Sequence, residues 1–494
     1  MIKLNSQEQL LDEGFRKKVI EGIKSPANEA RKREMKKRYE VYKDLTVKWV
    51  IQKLKDEGLK DRTLKLMVNR AANVSICRKI VNKLARCYQG GALRETGSPA
   101  LNTILAEIGD LTDIDNNQIK IDRYKRIFKN VWSATLPEVV NTDYDAPIYK
   151  LSQKVFTPWQ FDVVEMAKNP SVAGCVILSD YSETSLTKLP VAGSTQLAAQ
   201  REYEGYAEQE YSDDNKTYIW WSDKYHFTTD SKGNVIKSLS PDDLLNPIQE
   251  LPGVTYAEDQ EGCYWSAGGN DLVDGSILVN TLITDMNAIA FIQGWGQYVV
   301  TGKKIPAVLE GGPHSALVFT YDEGEPEPKV QVVNANPPLE QWMQLIEQYV
   351  ALLLSTNDCS PGSISMKLDS SSYPSGIAML IEKSEANNSI DQSRKQFIKG
   401  ERKQFEITKK WHNYLFDRGQ LNDEWQALGP IPEEMSFSLK FIDAKEVISE
   451  KEKLETIKLR KDLGLNTEID LIKIDNPDMS DEDAIAKLKD RKSV

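Results

Sequence analysis

Asp113, Asp115 and Asn117 stand at alternate positions of DIDNNQIKIDRY (113–124), the spacing that opens a calcium-binding loop. The match goes no further. Gln118 occupies the place where the sharp turn needs glycine, and Tyr124 that of the bidentate glutamate, so no calcium site is expected. The three histidines, His226, His314 and His412, are far apart with no HExxH, and each reads as a structural side chain. No GxxxxGK(S/T) phosphate loop and no GxSxG elbow occurs, and GWGQYV from Gly294 departs from the dinucleotide fingerprint at its sixth position. Carboxylates are abundant, yet no pair is set apart by context for acid–base work. Cys77, Cys87, Cys175, Cys263 and Cys359 include no CxxC and read as reduced, mostly buried thiols of a cytosolic setting. These absences favour a mechanical or binding role over catalysis, with no cofactor and no metal.

Two polar stretches remain. GSISMKLDSSSYPS (362–375) holds seven Ser or Gly in fourteen positions and runs straight into a long helical pattern. Such residues make a pliable loop, set directly before the longest rigid element of the chain. The second stretch is DEGEPE (322–327), with four carboxylates in six residues.

At 494 residues the chain needs two or more domains. Its hydrophobic share of 40% and charged share of 28% are those of a folded protein, not a disordered one. MIKLNSQEQLLDEG lacks the apolar core of a secretory leader. The strongest apolar run, YVALLLS (349–355), is too short to span a bilayer, so no membrane partner is expected. The net charge of −11 is uneven: residues 1–90 hold 23 Lys and Arg against 11 Asp and Glu. That basic segment suits nucleic acid or an acidic partner, or a solvated face on long amphipathic helices. The acidic remainder argues against a tight DNA-binding surface over most of the molecule.

The elements that position these stretches follow from periodicity and punctuation. Residues 27–57 and 61–88 read as helices, the first capped by Ser25 or Asn28 and stopped by Gly58, the second ending at a Gly pair. Strands are expected from about 140 to 265, with AGCVILSDYS a buried run. KTYIWWSDKYHFTTDSKGNVIKSL should form a hairpin around Asp230–Gly233 whose aromatics pack a sheet face rather than stack bases. A Pro-punctuated extended segment (246–260) leads to a helix of about 24 residues begun at Asn270 or Asp271. Strands and turns fill 297–336, and Pro337–Pro338 open a second helix over 339–358. The rod beyond the polar loop, 374–418, would reach roughly 67 Å if unbroken, with a polar weak point at EANNSIDQSRKQ. MSFSLKFID (435–443) alternates as a strand, and the last fifty residues read as helical and charged.

In this order, NPIQELPGVTY, GGNDLVDGSILVNTLITDMNAI, PPLEQWMQLIEQYVALLLSTNDCSPGSISM, SSYPSGIAMLIEK and FSLKFIDAKEVISEKEKLETIKLRKDLGLNTEIDLI resemble the successive segments of the portal, or head–tail connector, proteins of tailed bacteriophages. VNKLARCYQGG resembles the end of that family's N-terminal wing helices. The resemblance covers most of the chain, rests on the order of elements, and does not extend over 91–200. It implies an α+β ring subunit: a wing over 1–265, a first stem helix over 266–296, a clip over 297–337 and a second stem helix over 338–358. A tunnel loop (359–373), a long kinked helix with its return strand (374–443) and a helical crown (444–494) follow. It also implies a homo-oligomeric ring, usually a dodecamer, at one capsid vertex of the virion, assembled in the host cytoplasm. The viral genome would be packaged and ejected through it. The partners implied are double-stranded DNA, the terminase large subunit, the major capsid and scaffolding proteins, and a head–tail adaptor. On this reading Ser363, Ser365, Lys367, Asp369, Ser370, Ser371 and Ser372 face passing DNA, where tight cationic contacts would brake sliding. Asp322, Glu323, Glu325 and Glu327 meet the motor or adaptor. The rivals are another phage structural protein of the collar or baseplate, and a soluble Mg²⁺-dependent nucleic-acid enzyme.

Overall fold

A computed structural model describes residues 2–59, 61–109, 113–140, 147–179, 216–258, 262–265, 268–269, 271–294, 297–301, 329–333, 338–357, 359 and 376–442. Among the described residues helices and strands are mixed, 50% and 20% respectively. Nearly all strand pairs are antiparallel, which makes the class α+β instead of an alternating βαβ fold. The chain up to Phe441 forms one compact unit.

The N-terminal part begins with β1 (Lys3–Leu4) and α1 (Glu13–Ile23), the latter capped by Asp12. Ser25 caps α2 (Pro26–Tyr42), whose first turn holds Pro26, where a missing N–H costs nothing. The helix expected over 27–57 is two helices. Asp44 adopts a left-handed backbone (φ 66°), and α3 (Thr46–Asp56) then buries Val47, Val50, Ile51 and Leu54. Gly58, at φ 87°, ends α3 as expected.

The run expected over 61–88 is also divided, into α4 (Asp61–Val68) and α5 (Ile76–Leu84). Its interruption has a tertiary cause. The backbone N–H groups of Ala72 and Val74 donate to Thr284 Oγ1 at 2.9 Å and Asn280 Oδ1 at 2.6 Å, and Asn280 Nδ2 returns a bond to the Val74 carbonyl. Side chains from a distant helix thus replace bonds that an unbroken helix would have made internally.

Residues 92–179 form β2 (Ala92–Glu95), α6 (Pro99–Ala106), α7 (Ile114–Phe128), β3 (Asn130–Val139), β4 (Tyr149–Phe156), β5 (Phe161–Met166) and β6 (Ala173–Ser179). The calcium-like segment is helix: Asp113 caps α7 by accepting from Asn116 N at 2.8 Å. β7 (Tyr218–Ser222) and β8 (His226–Thr229) complete a five-stranded sheet in the order β1-β5-β6-β7-β8, and β9 (Gly253–Ala257) a three-stranded one, β4-β3-β9.

β7 and β8 are joined by a hairpin turn at Asp223–Lys224, where Ser222 and Tyr225 exchange bonds, and the hairpin expected around Asp230–Gly233 follows it, with Thr229 bridged antiparallel to Val235. Asp230–Gly233 forms the next turn, where Asp230 Oδ1 accepts from the N–H groups of Lys232 and Asn234. Tyr218, Trp220 and Trp221 are buried, so this aromatic run packs a sheet.

The C-terminal part holds α8 (Asp271–Gly294), the antiparallel pair β10 (Gln297–Thr301) and β11 (Lys329–Val333), α9 (Leu339–Ser355), α10 (Gly376–Phe416), α11 (Asp423–Gln426) and β12 (Ser438–Phe441). β12 pairs with β2 and so returns the chain to its N-terminal third. Of the region read as a clip, only β10 and β11 are described, and residues 444–494 lie outside the described residues.

α10 remains helical through EANNSIDQSRKQ and rises about 62 Å. It joins two cores. Phe397 packs with α2–α5, α7, α8 and α9, whereas Phe405, Ile407, Trp411 and Leu415 pack with α6 and strands β3–β6. A third core lies between β1, α1 and β5–β8.

Candidate functional site

The loop residues Ser363, Ser365, Lys367, Asp369, Ser370, Ser371 and Ser372, and the acidic residues Asp322, Glu323, Glu325 and Glu327, lie outside the described residues. The candidate site is therefore the frame that carries both segments: α8, the β10–β11 pair, α9 and α10. α8 and α9 approach closely at Gly275, where a Cβ would lie 2.7 Å from Leu353 Cδ1. α8 also buries polar side chains along its length. Ser276, Asn280, Thr281 and Thr284 are buried, and Ser276, Thr281 and Thr284 return their hydroxyls to carbonyls four residues back. Near its far end, the Arg70 guanidinium stacks 3.5 Å over the Phe291 ring.

α9 has two apolar faces. Leu353 and Leu354 are buried, with Ile346 and Val350 packed against the same core. Leu345, Tyr349 and Leu352 recur at helical spacing on another face and stay exposed, Leu352 at 59%, with Met343 exposed as well. A helix apolar beyond the face its own core requires has a further surface to cover.

α10 is held at its middle by charge. Glu401, 2% exposed, accepts from Tyr88 Oη at 2.5 Å and from Arg94 Nε and Nη2 at 2.8 and 2.9 Å, while Arg94 Nη1 reaches Asp115 Oδ1 at 2.7 Å. Burial works against the Arg94 charge, but the bonds and attraction to Glu401 and then Asp115 outweigh it and raise its pKa. Burial, then the Glu401 charge, raises the Tyr88 phenol well above its usual range, so it stays a donor. Earlier on the same helix, Lys125 Nζ donates to Ser393 Oγ and Gln396 Oε1. Gly400 admits the Tyr256 ring, which a Cβ would meet at 2.5 Å. This network was not foreseen from the sequence, although a glutamate flanked at i−4 and i+4 by Phe397 and Phe405 signals a buried carboxylate.

Part of the N-terminal positive charge is structural, not the solvated face expected of it. Arg31 and Lys32 both reach Asp162, at 2.8 and 2.5 Å, and Arg31 also stacks 3.9 Å over Trp265. Arg31 and Asp162 border a cavity of about 290 Å³ and already satisfy one another there. Arg16 is buried against the carbonyls of Leu10, Leu11 and Gly233. Burial pushes the Cys77 and Cys87 thiols up to about 12, which makes them inert packing groups. His412 is fully buried with Nε2 3.0 Å from the Trp425 carbonyl, and His226 lies flat on Trp221, while His314 lies outside the described residues. Among the described residues no three acidic, His or Cys side chains converge on a point that could hold a metal. Nor is any described helix long and apolar enough to cross a membrane. No protein-family model and no curated protein matches the chain.

Proposed function

We propose that the chain is a portal subunit, one copy of a ring at a single capsid vertex through which double-stranded DNA is packaged and later ejected. The observation that carries this reading is the outward apolar stripe Leu345, Tyr349 and Leu352 on α9. It belongs to a helix, strand-pair, helix unit that is followed by a 41-residue helix. A ring gives that stripe a partner, the next copy, and burying such side chains stabilises association by about 1.5–3 kcal/mol each. α8 and α9 act as the stem. The segment between β10 and β11, with Asp322, Glu323, Glu325 and Glu327, contacts the terminase large subunit and then a head–tail adaptor. The loop carrying Ser363, Ser365, Lys367, Asp369 and Ser370–Ser372 faces the DNA, and α10 is the spoke that carries it. Residues 444–494 form the crown. The capsid and scaffolding proteins surround the ring, and the separate motor supplies the energy of translocation.

Light scattering of the purified chain, with negative-stain images of the main peak, tests this. Rings with a central hole are expected, usually of twelve copies. A monomer or dimer at every concentration and salt would leave the stem without that role and overturn the reading.

A further inference from the structure

Beside α5 lies an open cleft of about 410 Å³. Its wall is Ser75, Arg78, Lys79, Asn82, Lys83 and Arg86, with Asp44 opposite, and among the described residues no apolar one lines it. The other face of α5, with Ile76, Ile80, Val81 and Leu84, is buried in the first core. Arg78 is held by Asp44 at 2.6 Å. Lys79 and Lys83, four apart on α5, and Arg86, two residues past its end, make no ion pair among the described residues. Like charges at that spacing weaken a helix, and α5 is only nine residues long. Lys43, Lys120 and Arg123 add to the field. The Lys43 amine is pushed below its usual range by burial first, then by Arg78, Lys120 and Arg123, with Asp44 the opposing charge.

We propose that this cleft binds the backbone phosphates of a nucleic-acid duplex. Its lining is the donor set that contacts phosphate, namely Lys, Arg, Ser and Asn. The lack of any apolar residue speaks against a peptide partner, since protein interfaces carry an apolar core. The lack of aromatic rings speaks against single strands, which bind by base stacking. The contact is separate in sequence from 362–373 and requires no ring, so it stands or falls independently of the portal reading.

The test is fluorescence anisotropy of a labelled duplex titrated with the full chain over a range of salt concentrations. Affinity should fall with salt. K79Q/K83Q/R86Q should weaken binding by about tenfold or more and lower the log–log salt slope by roughly 3, from the loss of three phosphate contacts. K18Q/R33Q/K36Q removes three exposed cations from α1 and α2, the same charge at a different place, and should leave the slope close to that of the unmodified chain. Circular dichroism checks that both variants are folded. Equal losses in the two variants, or none in the first, would overturn the proposal. So would a single strand bound as tightly as the duplex. Binding of polyglutamate without duplex binding would also overturn it, and would assign the cleft to an acidic protein segment.

Discussion

At the scale of single residues, Glu401 and His226 have measurable consequences. Glu401 joins α10 to Tyr88 and Arg94 in a nearly dry environment. Removing one partner leaves a buried charge uncompensated, so E401A should cost about 3 kcal/mol or more, whereas R94M/E401M should cost less than the two single losses added. Urea titrations of the four species give that coupling; an E401A variant as stable as the unmodified chain would mean the network does not hold the helix. His226 donates Nδ1–H to the Trp220 carbonyl at 3.0 Å, and burial lowers its pKa from 6.5 to about 4. The unfolded chain takes up the proton first as pH falls. The stability this neutral imidazole contributes is therefore full above pH 6.5 and lost towards pH 4, by at most about 3 kcal/mol. H226F should flatten that part of the pH profile, read as urea midpoints across the window.

At the scale of elements, the outer face of α9 decides association. Y349E/L352E places charges on exposed positions, so the monomer should keep its fold while self-association is lost. Sedimentation of the variant beside the unmodified chain reads this, with circular dichroism as the control. Rings formed unchanged by the variant would remove α9 from the subunit interface. The same scale explains the divided N-terminal helices. Nothing in the local pattern of 61–88 announces that Asn280 and Thr284, some two hundred positions away, will take over the backbone of Ala72 and Val74. The break at Asp44 follows from the burial of α3 against the first core.

For the whole molecule, α10 unites two cores and lies directly after the polar segment 362–373. Shortening that segment should leave the fold and ring assembly intact but abolish genome packaging in a complementation assay. A shortened variant that packages normally would sink its assignment as a DNA-facing loop.

The sequence alone determined the elements whose signals are local. A start at Asp271 and a run of about 24 residues set α8 over 271–294, Pro338 precedes α9, and Ser25 caps α2. The aromatic sheet run and the burial of most cysteines were legible for the same reason, since strand alternation and thiol hydrophobicity act residue by residue. The tertiary structure decided what depends on partners remote in the chain. Those are the opened backbone at 69–75, the convergence of Tyr88, Arg94, Asp115 and Glu401, and the second apolar face of α9. A hydrogen bond or ion pair between residues hundreds of positions apart leaves no period in the sequence, because the geometry that makes it favourable exists only after the core has formed.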